Sequence, residues 1–269
     1  MLVSRLILVS LLVLLLSVPS VVLGAEQGTG EAQGQINEQI DEEAVEVITR
    51  FVNYITSLKE LRVTAEYGFD VLQETGQMIE FGSRQVITVQ RPDHLRLDFI
   101  RRDGVDGHVV YDGNEVVLFN PEHAVYAKAP FKGEVDDVFD FLAEELERPV
   151  PLRDLFASDL GDVFIEKVDS ALYVGESTVG EVLCDHLALR NENVDFQLWV
   201  AQGDKPLLHR MIITHKNEEG QPQFWSQFLK WDTSPRIKKG DFSYTPAKGA
   251  ERIPFAVLEE EVPQQGGQP

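Results

Sequence analysis

Cysteine is almost missing from this chain. Cys184 is the only one in 269 residues, so no internal disulfide can form and the fold must be held by its core. Positive charge is also scarce. There are 24 Lys and Arg against 45 Asp and Glu, a formal net charge of -21. A chain this acidic repels nucleic acid and anionic lipid surfaces, which sets aside DNA, RNA and polybasic membrane docking. The phosphate-binding G-x-x-x-x-G-K-[ST] loop, the H-E-x-x-H zinc motif and the EF-hand loop are all absent.

A long apolar run is lacking as well, and the short one present sits at the start. Arg5 is the only charge before Glu26, the apolar stretch Leu6–Leu16 follows it, and Pro19 and the small residues Gly24 and Ala25 close it. This is the pattern of a cleaved secretory signal, and it is shorter than the ~20 residues a spanning helix needs. We expect a signal peptide over 1–24, cut after Gly24 or Ala25. No cysteine stands at that point to carry a lipid, so the exported form should be a soluble periplasmic chain of about 245 residues. Residues 25–40, rich in Gly and Gln, read as a disordered linker, and 259–269 as a disordered tail. A single folded domain is expected over 41–258.

Within it, apolar residues change period. Ala44, Val47, Ile48, Phe51, Ile55 and Leu58 recur at helical spacing behind Asp41, Glu42 and Glu43. Leu61, Val63, Ala65, Tyr67, Phe69 and Val71 alternate as a long half-buried strand. A strand pair is expected through Ile79 and Phe81 and then Ile87 and Val89. Further strands follow at Leu95–Phe99, Val109–Tyr111, Val116–Phe119 and Val125–Ala127, with Asp112-Gly113 as a tight hairpin. Val135, Val138, Phe139, Leu142 and Leu146 form a helical stripe, with Asp136, Asp140 and Glu144 on its solvated side. A second short helix is expected over 152–160. Strands resume at 171–175, 182–190, 194–200, 208–215, 223–231 and 242–244. The pattern predicts an α+β fold, a large antiparallel sheet carrying helices on one face.

Catalytic signals are weak. Gly175-Glu176-Ser177-Thr178-Val179-Gly180 departs from a G-x-S-x-G elbow at Val179 and lies between strands, so it reads as a surface hairpin turn. Cys184 and His186 share a strand face, but a zinc site needs three or four ligands and no second pair is visible. No metal, cofactor or catalytic residue is expected. The aromatics are more informative. Alternation sends Phe224 and Phe228 to one face of their strand and Trp225 and Trp231 to the other.

Taken in order, the helix, the "RPDHLRLDF" strand (91–99), "VVYDGNEVVLFNPEHAVYA" (109–127), the mid-chain helices, "YVGESTVGEVLCDHLALRNENVDFQLWV" (173–200) and the closing "DFSYTPAKGAERIP" (241–254) resemble uncharacterised periplasmic proteins related to the lipoprotein carrier LolA and its receptor LolB. The resemblance covers roughly 42–254. It implies an unclosed half-barrel whose concave apolar face is covered by helices. It also implies a non-enzymatic, monomeric binding or carrier protein for a lipid, a lipoprotein acyl chain or another amphiphile. The same fold serves an envelope-stress regulator, so a protein-interaction module using the sheet is the alternative, and a lipid hydrolase ranks below it. The expected ligand-facing residues are Leu95, Leu97, Phe99, Phe196, Leu198, Phe224 and Phe228 from the sheet, with Phe139 and Leu142 from the helical lid. Arg96 is expected at a polar rim. A one-residue slip in register would invert every face.

Overall fold

The computed structural model describes residues 40–255, apart from 146–149, 162–163, 165–166 and 239. The expected signal peptide, the linker up to residue 39, Leu146 and the tail lie outside the described residues.

Helix α1 (Glu42–Ser57) buries Ala44, Val47, Ile48, Phe51, Val52 and Ile55 along one stripe. Its first-turn acids, Glu42 and Glu43, suit the positive end of the helix dipole. Six strands follow: β1 (Glu60–Leu72), β2 (Met78–Gln90), β3 (His94–Arg101), β4 (Asp106–Tyr111), β5 (Glu115–Asn120) and β6 (Val125–Pro130). Then come α2 (Val135–Asp140), a π-helical turn (Phe141–Glu145) and a 3₁₀ turn (Arg153–Phe156). The chain ends with β7 (Ser170–Val179), β8 (Val182–Arg190), β9 (Val194–Ala201), β10 (Leu208–His215), β11 (Gln223–Asp232) and the short β12 (Glu251–Arg252).

The strands form one curved sheet in the order β12-β6-β5-β4-β3-β2-β1-β11-β10-β9-β8-β7. It is unclosed, with β12 and β7 at its two ends. Every pairing between these strands is antiparallel except β12 with β6, and Ile40 makes an isolated parallel bridge to Ala171. Helix α1 and the α2-to-3₁₀ segment pack on its concave inner face. One apolar cluster joins Phe51 and Ile55 of α1, Phe139, Leu142 and Phe156 of the second cover, and sheet residues from Val116 on β5 to Ala171 on β7. Ties at the sheet edge fix the entry of α1. The Asp41 amide donates to the Ala171 carbonyl (2.8 Å), and the Tyr173 amide donates to Asp41 Oδ2 (3.0 Å).

Four local readings are corrected. The strand pair expected around Ile79 and Val89 is one continuous strand, β2, because it pairs with β1 without a break from Met78 to Gln90. No helix spans 152–160. Leu152 takes a left-handed φ of 68° and Ala157 is extended, so only one 3₁₀ turn fits between them. Residues 242–244 form no strand. Phe242 packs edge-on against His94 (5.1 Å) and Tyr244 stacks on Phe119 (4.0 Å), so the segment straps the convex face while Glu251–Arg252 pair instead. Finally, Gly175–Gly180 is mostly strand. Ser177 pairs with Cys184 inside the β7–β8 ladder.

Candidate functional site

Of the nine expected ligand-facing residues, the seven from the sheet lie on its inner face and Phe139 and Leu142 on the cover against it, all in the apolar cluster or packed on it. Leu95, Leu198, Phe228, Phe139 and Leu142 are almost fully buried. Leu97 and Phe196 are buried too. At these seven the sheet and the protein's own cover fill each other's space. Phe99 and Phe224 are only half-buried and stand where that cover ends. Phe99 lies across its neighbour on β4: a Cβ on Gly107 would meet the Phe99 ring at 2.5 Å.

Arg96 is on the opposite face. Leu95 and Leu97 point inward, so alternation turns Arg96 outward. Its Nε donates to Asp98 Oδ2 (2.8 Å) and one terminal nitrogen to the Asp241 carbonyl (3.1 Å). It holds the closing strap and does not reach a rim of the inner face. Trp231, expected opposite Phe228, shares the inner face with it, and their rings stack at 5.4 Å. A register shift explains this. Thr64 pairs with Lys230 but Ala65 with Phe228, so Leu229 is an extra residue, and a bulge reverses the alternation beyond it.

The inner face does not end at the cover. Past Gln85, whose side-chain nitrogen donates to the Pro151 carbonyl (3.3 Å), the long hairpin of β1 and β2 continues. Register places Ile213, Phe224, Phe69 and Phe81 side by side across β10, β11, β1 and β2. Val71 and Ile79 form the next pair outward. Phe69 and Phe81 stack at 6.1 Å and Tyr67 and Phe224 at 5.7 Å. Exposure rises along this face: Leu61, Val63 and Ala65 are at 0%, while Val71, Ile79 and Phe81 reach 37%, 39% and 41%. The result is an uncovered apolar shelf continuous with the core.

A polar row crosses the shelf at its inner end. Met211, Ser226, Tyr67, Ser83 and Arg101 are neighbours on β10, β11, β1, β2 and β3. Ser226 is fully buried and its Oγ has no hydrogen-bond partner among the described residues. Ser83 donates to the Ile100 carbonyl (2.8 Å). Burial pushes the Tyr67 phenol above its usual range, against a smaller opposing pull from the Ser83 hydrogen bond and the Arg101 charge. Tyr67 is therefore a neutral O–H donor at physiological pH.

Two hollows lie elsewhere. One, of about 370 Å³, is lined by Glu43, Glu46, Arg50, Tyr173, Glu176 and Asp185 among others. It is polar, and its groups satisfy one another: Asp185 accepts from Gln202 (2.7 Å), Tyr173 (3.2 Å) and Arg50 (3.3 Å). The other, of about 420 Å³, lies where Ser57–Glu60 meet Thr233–Pro235. Cys184 is buried, which pushes its thiol up to about 11. His186 turns to the convex face and stacks on Trp199 (4.2 Å). Arg210 then bridges Trp199 and Trp225 on that face.

Alternation in β1 was enough to mark Tyr67, Phe69 and Val71 as one face. What it could not supply was their partners, because Ile79 and Phe81 had been split from Ile87 and Val89.

The chain belongs to a family described as predicted periplasmic protein (DUF2092), whose model matches residues 44–256. No curated protein sequence matches. Among solved structures, LprF from Mycobacterium bovis is similar at 12% identity and a TM-score of 0.50, covering 76% of this chain and 100% of its own. Lipoprotein LppX from Mycobacterium tuberculosis is similar at 12% identity and a TM-score of 0.46, with 73% and 98% covered. The LolA superfamily protein NE2245 from Nitrosomonas europaea is similar at 9% identity and a TM-score of 0.35, with 75% and 97% covered. The likeness to LprF shows a shared fold.

Proposed function

We propose that this member of the predicted periplasmic family is a non-enzymatic binding or carrier protein for an amphiphile of the cell envelope, a lipid or an acyl chain, with 41–258 as the working domain. The observation that carries the reading is the shelf. Half-buried Phe69 and exposed Val71, Ile79 and Phe81 continue the inner apolar face beyond the helical cover. A contiguous exposed apolar patch at one end of a sheet marks a binding surface. Each buried methylene of an acyl chain contributes about 0.8 kcal/mol, so shape and apolar area suffice without a reactive group. The buried members, from Leu95 to Phe228, become available only if the helical cover parts from the sheet. The shelf is available as it stands.

The test is native mass spectrometry of the full chain exported to a periplasm and recovered without detergent. We expect a co-purifying lipid or a stoichiometric adduct with added palmitate or phospholipid. Phe81→Glu, which places a charge on the shelf, should weaken the adduct at least about tenfold, given the cost of burying a charge against an acyl chain. A clean mass unchanged by palmitate, phospholipid and acylated peptide would sink the reading.

A specific observation favours a second reading, an envelope protein added to the sheet edge. Strand β7 has a named strand on one side only; Ile40 and Asp41 occupy its other edge at Ala171 and Tyr173, and beyond them, among the described residues, the edge from Val174, 50% exposed, onward is open. Unpaired edge groups with exposed apolar neighbours accept an extended partner strand.

A further inference from the structure

We infer that the polar row across the shelf is a head-group subsite, and that it takes the carboxylate of a single-chain, long-chain fatty acid. The inference rests on the amphiphile reading and adds the ligand's chemistry to it.

Three observations converge. First, Ser226 Oγ is buried on the inner face without a partner among the described residues. A bound acceptor would supply what it lacks. Second, its cross-strand neighbour Tyr67 carries a second neutral O–H, which a charged acceptor would draw from its hydrogen bond with Ser83. Third, Arg101 ends the row two strands further on. Two strand spacings, about 9.6 Å, separate its backbone from that of Tyr67, and its charge already acts on the Tyr67 phenol. Its guanidinium is exposed and paired with exposed Asp103, a contact weak enough for a ligand carboxylate to replace. Ser83, already donating to Ile100, is left to accept.

Apolar rows flank this one. Phe228, Ala65 and Phe99 lie on the covered side, with Gln85 between Ala65 and Phe99 tied to the Pro151 carbonyl, and Phe224, Phe69 and Phe81 lie on the open side. Gln85 is held by the cover, so the polar line beside the open apolar row matches a molecule with one small polar end. A carboxylate has about four acceptor positions and fits two hydroxyls and one guanidinium. One cation suits a monoanion, and the chain's net charge of -21 opposes a dianionic phosphate. The tail then runs outward over Phe69 and Phe81 towards Val71 and Ile79.

The test measures binding of palmitate, hexadecan-1-ol and hexadecyl phosphate, matched in chain length, to the wild-type chain and to Tyr67→Phe, Ser226→Ala and Arg101→Gln. Thermal melting of each variant confirms folding. We expect palmitate to bind about tenfold more tightly than the alcohol, the range of a charged hydrogen bond. Each variant should bring that ratio towards one. Equal binding of palmitate and alcohol, a ratio the variants leave untouched, or tighter binding of the phosphate would overturn the carboxylate subsite while leaving the carrier reading intact. Failure of all three probes to bind would overturn both.

Discussion

Ser226 is where a single residue says most. A buried serine whose hydroxyl finds no partner carries a desolvation penalty that alanine would not. Ser226→Ala should therefore leave the unliganded protein as stable or more stable, by up to about 1 kcal/mol, or a few degrees in Tm. Thermal melting without lipid checks this, and a drop of several degrees would mean that the hydroxyl already has a partner in solution. At this scale the sequence was readable wherever strict alternation held. Leu95, Leu97, Phe99, Phe196 and Leu198 all face inward as their spacing requires. Trp231 was not readable, because the extra residue Leu229 leaves no mark in composition and only the pairing with Thr64 and Ala65 reveals it. Arg96 was misplaced for a different reason: its strand was right, but the Asp98 and Asp241 groups that hold it lie on the convex face.

At the scale of elements, the two parts of the cover are unlike. Helix α1 is sixteen residues with a full apolar stripe, tied to β7 at its start. The second cover is a six-residue helix, a π turn and a 3₁₀ turn. It is held by scattered polar ties such as Arg91 to the Phe156 carbonyl (2.7 Å) and the Ser158 amide to Asp136 (2.9 Å). Short irregular segments open at lower free energy than a packed helix. Amides of α2 and of Arg153–Phe156 should exchange at least about tenfold faster than those of Val47–Phe51, and palmitate should slow α2 if the cover closes over a bound chain. Uniform protection across both parts would contradict this. Phe51→Ala should cost about 3–5 kcal/mol, because its ring is fully buried. The helical stripe of α1 was legible because its period is unbroken. The second cover shows the same apolar spacing at Val135, Val138, Phe139 and Leu142 but not its interruption, since the left-handed Leu152 depends on packing that local sequence does not encode.

For the whole molecule, the order of strands and covers follows from the changes of period along the chain, and the unclosed curved sheet is the one the resemblance implied. The shelf was the part least visible. It exists because β1 and β2 run on together for thirteen residues each, past the reach of the cover, and that is a fact of pairing length. The same length divides the molecule into a packed half, where the inner face is filled by the protein itself, and an open half, where it is not. The central claim is that the open half receives an acyl chain. Its most direct test is photo-crosslinking with a palmitate carrying a diazirine near its tail, followed by peptide mapping. The account predicts labelling on the β1–β2 hairpin, at Phe69–Val71 and Ile79–Phe81, that unlabelled palmitate competes away. Competed labelling confined to the convex face or to the hollow beside Asp185, or none above background, would contradict it.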